Sequence, residues 1–167
     1  PDEYMYDVER VVGIFGEDVL KGCWEKLKSL GRLFKSLVSS YIIPIACELK
    51  IYDPETGVAG AVDMLAYHIP TKSIIIIDYK SCKEIERKNI YYNYMLKPFD
   101  YLDDINYIHY SLQMNGYQYI IEKNTNLKLN RNHFLIWINE KNDDVEFILT
   151  RDLYKEASIM IENERNI

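Results

Sequence analysis

At 167 residues with 48% apolar content, the chain is sized for one domain with a continuous core and is too apolar for a disordered tail. A net charge of −6 argues against a protein that grips nucleic acid through a broad basic face. Carboxylates gathered around a divalent cation would add to that negative count while the bound ion reverses the local sign, so nucleic acid is not excluded as a substrate. Three scattered cysteines, Cys23, Cys47 and Cys82, argue against a disulfide framework or a zinc site and point to a reducing, intracellular compartment. No stretch reaches the length of a membrane span, and the acidic N-terminus does not read as a signal peptide. The opening at Pro1 suggests an excised domain or a lost leader.

From Tyr4 to about Tyr41 the apolar spacing is helical, with a short stripe at Val8, Val11, Val12 and Phe15. A longer stripe runs from Val19 and Leu20 through Trp24, Leu27 and Phe34 to Val38. The period then changes. Ile42 to Ile51 reads as a strand, Pro54-Glu-Thr-Gly57 as a turn, and Val58 to Tyr67 as a second strand. A turn at His68 to Lys72 leads into the β-branched run from Ser73 to Ile77, which ends in Asp78-Tyr79-Lys80. Cys82 to Asp104 is a long polar and aromatic connection, uncommon in a compact domain unless it has a task. A helix over Asn106 to Lys123, strands at Phe134 to Ile138 and Val145 to Leu149, and a helix from Leu153 to about Glu164 complete the order. Helices, three strands, helix, two strands and helix give an α/β (α+β) domain, a central mixed sheet flanked by helices.

The acids fall in unexpected company. Asp63 interrupts Ala61-Val-Asp-Met-Leu-Ala66, Asp78 ends four isoleucines, and Glu48 follows Ile45-Ala-Cys47. Ionised carboxylates among apolar neighbours are costly unless paired or metal-bound. A four-residue hairpin loop closed by Asp53 and Val58 would set Glu48 opposite Asp63. An even loop centred between Pro70 and Thr71 would set Asp63 opposite Asp78. Three acids would then cross three adjacent strands, with Lys80 on the same face two residues beyond Asp78. Hard carboxylate oxygens suit Mg2+ or Mn2+, which can activate water and stabilise charge on a phosphodiester. A neighbouring lysine can position or deprotonate that water. The set fits phosphodiester hydrolysis better than acyl transfer, as no Ser/His or Cys/His pairing is visible.

Glu48, Gly60-Ala-Val-Asp63, Ile77-Asp-Tyr-Lys80 and Gln113-Met-Asn-Gly-Tyr117, in this order, resemble the core of the PD-(D/E)XK nucleases, most closely the RecB-like exonuclease branch. The resemblance spans about half the chain. It implies a single restriction-endonuclease-like domain over 1–167, with N-terminal helices at 1–41, the catalytic sheet and helix at 42–150, and a C-terminal helix at 151–167. It implies Asp63 and Asp78 as metal ligands, with the Tyr79 carbonyl completing the set, Lys80 as the catalytic lysine, and Glu48 binding the metal directly or through water. Gln113 and Tyr117, one helical turn apart, would line the site beside Ser81 and Lys83 and contact Lys80, water or the DNA backbone. The histidine that RecB-like members carry upstream of the first acid is missing, with Glu17 or Glu9 as stand-ins.

The expected activity is thus Mg2+- or Mn2+-dependent hydrolysis of DNA, as single strands or duplex ends, in replication, repair or recombination, in a virus, phage or mobile element. A helicase, primase or other replication or repair protein is the expected partner. The alternatives are a silent nucleic-acid-binding scaffold and an RNA-cutting viral endonuclease. His68, His109 and His133 lack ligand spacing, and the last two read as surface or core-edge residues. Lys83, Arg87, Lys88 and Lys97, interleaved with Tyr91, Tyr92 and Tyr94, either track a single strand by charge and stacking or pack back on the domain.

Overall fold

The computed structural model describes residues 40–138 and 145–163. Residues 1–39, which hold most of the expected N-terminal helices and with them Glu9 and Glu17, lie outside the described residues. The elements are β1 (Ile42–Tyr52), β2 (Ala59–His68), β3 (Ser73–Lys80), α1 (Asn106–Asn124), β4 (Phe134–Ile138), β5 (Val145–Leu149) and α2 (Tyr154–Asn163). Order and type follow the expectation, and the boundaries move by at most a few residues.

The sheet runs β1-β2-β3-β4-β5. β1 with β2, β2 with β3 and β4 with β5 pair antiparallel, whereas β3 and β4 pair parallel. A parallel pair needs a long crossover, and the segment containing α1 supplies it. The first hairpin closes as the sequence implies. Asp53 N–H donates to the Val58 carbonyl at 2.8 Å, Gly57 N–H returns to the Asp53 carbonyl at 2.9 Å, and Gly57 takes the positive φ of 77° that the turn requires. Register follows from that turn: Cys47 faces Met64 and Leu49 faces Val62. The second turn sets Met64 against Ile77 and His68 against Ser73.

Ile75, Ile76 and Ile77 are all buried, so β3 is covered on both faces, as suits a strand in the middle of a sheet. Val62, Leu65, Ile76 and Leu135 from the sheet meet Met114, Ile120 and Ile121 of α1 in the main core. Phe99, Leu102, Ile108, Leu112, Leu153 and Ala157 form a second cluster, which fastens the long connection after β3 to α1 and α2. Among the described residues no helix is long and apolar enough to cross a membrane.

His133 is a correction. Read as a surface or core-edge residue, it is fully buried. Its Nδ1 accepts the Ile76 N–H at 3.2 Å and its Nε2 lies 2.9 Å from Gln118 Oε1, an acceptor, which makes the ring the neutral Nε2–H tautomer. The imidazole bridges a step where β3 and β4 lack a backbone bond, just before their ladder begins at Ile77 and Phe134. Burial pulls its pKa from the ordinary 6.5 to about 4. Between those values the unfolded chain binds a proton that the folded chain refuses, so stability falls as pH drops through this window, by roughly 3 kcal/mol in total. Urea melts at pH 7 and pH 4.5 should show that loss, and His133→Gln, less stable at pH 7, should flatten it. An equal slope in the variant would remove His133 as the cause.

Candidate active site

The site begins where two strands part. β2 and β3 pair from His68 and Ser73 up to Met64 and Ile77 and no further, while β2 continues along β1 to Ala59 and β3 continues along β4 to Lys80. Asp63 and Asp78, opposed in the extrapolated register, stand at the fork. Tyr79 N–H, beyond the end of the β2 ladder, donates to Asp63 Oδ2 at 2.8 Å. Asp63 therefore caps the backbone at the point where the ladder opens.

Asp78 is only 3% exposed. Lys80 Nζ lies 2.6 Å from its Oδ2, an ion pair whose carboxylate is almost wholly buried. Burial raises the proton affinity of Asp78, Lys80 opposes this, and the charge of Asp63 adds to it; the net shift is upward. Lys80 Nζ also donates to Gln113 Oε1 at 3.2 Å and lies 4.6 Å from the centre of the Tyr110 ring. Gln113 Nε2 donates in turn to the Tyr117 hydroxyl at 2.7 Å. Asp78, Lys80, Gln113 and Tyr117 thus form one continuous polar line from β3 to α1.

Gly60 holds the end of this line in place by what it lacks. A Cβ there would lie 2.5 Å from Tyr117 Cε1 and 3.2 Å from Cδ1, so only glycine lets the ring rest against β2. Tyr110 was missed from the sequence. Its signal was spacing: 110, 113 and 117 fall on one helical face.

Glu48 occupies the expected place and not the expected company. Its neighbours pair as Cys47 with Met64 and Leu49 with Val62, which puts it level with Asp63. The residue itself is exposed and has φ 51°, a left-handed conformation rare for glutamate, and the β1–β2 ladder skips it. Among the described residues no three His, Cys, Asp or Glu side chains converge to hold a metal. Ser81 and Lys83 are exposed just past β3. His68 bonds Thr71 in its turn, and His109 bonds Asp104 at the surface.

The donors still suit a hard cation. Asp78 offers a buried carboxylate paired only with Lys80, Asp63 is close enough to raise its proton affinity, and Mg2+ commonly takes one or two carboxylates and completes its shell with water and phosphate. A cavity of about 390 Å³ is lined by Gln113, Tyr117 and His109 and otherwise by apolar residues, among them Val58, Leu112 and Met160.

Against solved structures, the chain is similar to a protein from Eubacterium rectale whose name assigns it provisionally as an exonuclease. The TM-score is 0.53 at 23% identity, over 87% of this chain and 53% of that one. This likeness shows the fold: a mixed five-stranded sheet with helices, of the kind found in that exonuclease-like protein. The chain spans about half the length of that neighbour. A second protein, SSO0001, aligns over 97% of this chain and 66% of its own at 15% identity, with a TM-score of 0.39. No family model matches the chain, and no curated protein matches it.

Proposed function

We propose that this domain is a metal-dependent deoxyribonuclease of the RecB-like PD-(D/E)XK branch, acting on DNA ends in replication, repair or recombination. The observation that carries the reading is the line Asp78–Lys80–Gln113–Tyr117 starting at the fork occupied by Asp63. A lysine ion-paired to a buried carboxylate and steered by a helix glutamine is poorly explained by packing alone, because burying such a pair is at best neutral for stability. The fold shared with the exonuclease-like protein adds to it.

Asp63, Asp78 and the Tyr79 carbonyl would hold Mg2+ or Mn2+, with Glu48 reaching it directly or through water. When bound, the ion supplies Lewis acidity toward the phosphodiester and an acidified water. Lys80 then holds the attacking water by its ammonium group or neutralises charge growing on the phosphate oxygens. Gln113 fixes the Lys80 head group, and Tyr117 fixes Gln113. Ser81 and Lys83, exposed at the exit of β3, face the DNA backbone as it leaves the site. A helicase or primase module is the partner that would deliver the strand.

The test is to incubate the chain with linear and circular, single- and double-stranded DNA and with RNA. Each is supplied with magnesium, manganese or chelator, beside Asp78→Ala/Lys80→Ala. The expected result is DNA loss that needs the metal and vanishes in the variant. Binding without cleavage under every metal would make the domain a scaffold, and a preference for RNA would overturn the deoxyribonuclease reading.

A further inference from the structure

The connection between β3 and α1 leaves the site directly after Lys80 and carries an unusual surface. From Arg87 to Phe99 it contains no acid, in a chain of net charge −6. Over this stretch Tyr91, Tyr92 and Tyr94 are 71, 79 and 53% exposed, with Ile90 and Leu96 more than half exposed among them. Packing of these rings against the domain, the alternative that the sequence left open, is therefore not what the fold does with them. Lys88 and Lys97 are exposed at either side of the rings, while Arg87 is engaged by Glu146.

The segment is built to hold the rings outward. The Asn89 side chain accepts the Asn93 N–H at 2.9 Å, donates to the Asn93 carbonyl, and donates to Asp103 Oδ1 at 3.0 Å. This clamp closes the turn 90–92, in which Tyr92 takes φ 55°, a left-handed conformation uncommon for an aromatic residue. Behind the turn, Asp104 N–H donates to the Asn93 carbonyl and Met95 N–H to the Leu102 carbonyl, while Phe99 and Leu102 are buried in the second core cluster. At its root, Asn106 bonds both Glu86 N–H and the Glu84 carbonyl. One side of the arm is anchored, and the other presents three tyrosines between two lysines.

We infer that residues 87–99 form a stacking arm for unpaired DNA bases, which makes single-stranded DNA the preferred substrate class; this rests on the nuclease reading above. Exposed rings on a fixed scaffold stack on any base, and neighbouring ammonium groups follow the phosphates. A duplex keeps its base faces inside the stack, so the arm discriminates by strandedness and not by sequence. Within the stretch itself no carboxylate stands to repel a polyanion.

The experiment measures anisotropy of a labelled oligothymidine and of a blunt duplex of equal length, in chelator so that hydrolysis is silent. The proteins are the full chain, Tyr91→Ala/Tyr92→Ala/Tyr94→Ala, and the corresponding triple Tyr→Phe variant. Wild type should prefer the single strand. The alanine variant should lose about tenfold in affinity for each ring that stacks, up to about a thousandfold for three. The phenylalanine variant should bind like wild type. Equal binding of duplex and single strand by wild type, an unchanged affinity in the alanine variant, or an equal loss in the phenylalanine variant overturns the arm. So does self-association of wild type, seen by sedimentation, that vanishes in the alanine variant while its DNA affinity stays intact. If wild type cleaves nothing under any metal while arm-dependent binding persists, the catalytic reading falls and the arm stands. If cleavage is metal-dependent and the arm substitutions leave binding unchanged, the arm alone falls.

Discussion

Asp78→Asn is expected to cut metal-dependent DNA hydrolysis by at least about a thousandfold while making the metal-free protein more resistant to heat. The first effect follows from what the carboxylate does. It is the buried acid next to Lys80, and a neutral amide there neither attracts a divalent cation nor keeps the lysine ion-paired. Loss of one preorganised electrostatic contact at a reacting centre costs about 3–4 kcal/mol of barrier, hence the thousandfold. The second effect follows from the sign of the pKa shift. Asp78 holds its proton more tightly folded than unfolded, through burial first and the Asp63 charge as well, against the pull of Lys80. The ionised side chain therefore works against folding, and an amide of the same shape relieves that. Thermal melts in chelator should show the higher midpoint in the variant. Manganese should raise the melting temperature of wild type and leave the variant unmoved. Near-normal cleavage by Asp78→Asn would remove this residue from the site.

Gly60→Ala is expected to harm stability and activity together, although it adds only one methyl group. The new Cβ would meet the edge of the Tyr117 ring at 2.5 Å, and the ring must swing away or β2 must shift. Overpacking of this kind costs about 1–3 kcal/mol. A displaced ring surrenders the hydrogen bond from Gln113, and Gln113 then loosens its hold on Lys80. Misplacing a reacting group by an ångström can cost about a hundredfold in rate. Tyr117→Leu in the Gly60→Ala background should recover stability beyond additivity, by about 1 kcal/mol or more in a double-mutant cycle, while the rate stays low for want of the hydroxyl. Strict additivity of the two substitutions would show that the glycine and the ring do not press on each other.

Much of this was legible in the sequence because turns dictate register. Asp53 and Val58 close the first hairpin as the Pro-Glu-Thr-Gly loop implies, and the levels of Glu48, Asp63 and Asp78 follow by counting. The spacing of Gln113 and Tyr117 was legible for a similar reason, since one helical turn fixes a shared face. The parting of β2 from β3 was not. It arises when the Asp63 side chain takes the Tyr79 N–H, a capture between residues 16 positions apart that leaves no local pattern. His133 was misplaced because its partners, Ile76 and Gln118, are remote in sequence, and a lone polar residue after Asn130-Arg-Asn132 resembles a turn. The left-handed Glu48 had no glycine or asparagine to announce it.

That backbone twist has a consequence for how the molecule survives in company. β1 is an outer strand of the sheet, and its Ile43 and Ile45 are each about half exposed. A smooth outer strand of this composition would invite a second chain to zip alongside and seed aggregates. Pro44 removes one backbone donor, the irregularity between Pro44 and Ala46 bends the strand, and the left-handed Glu48 interrupts it again. The residue proposed to reach toward the metal therefore also helps to keep neighbouring copies from growing together along their exposed margins.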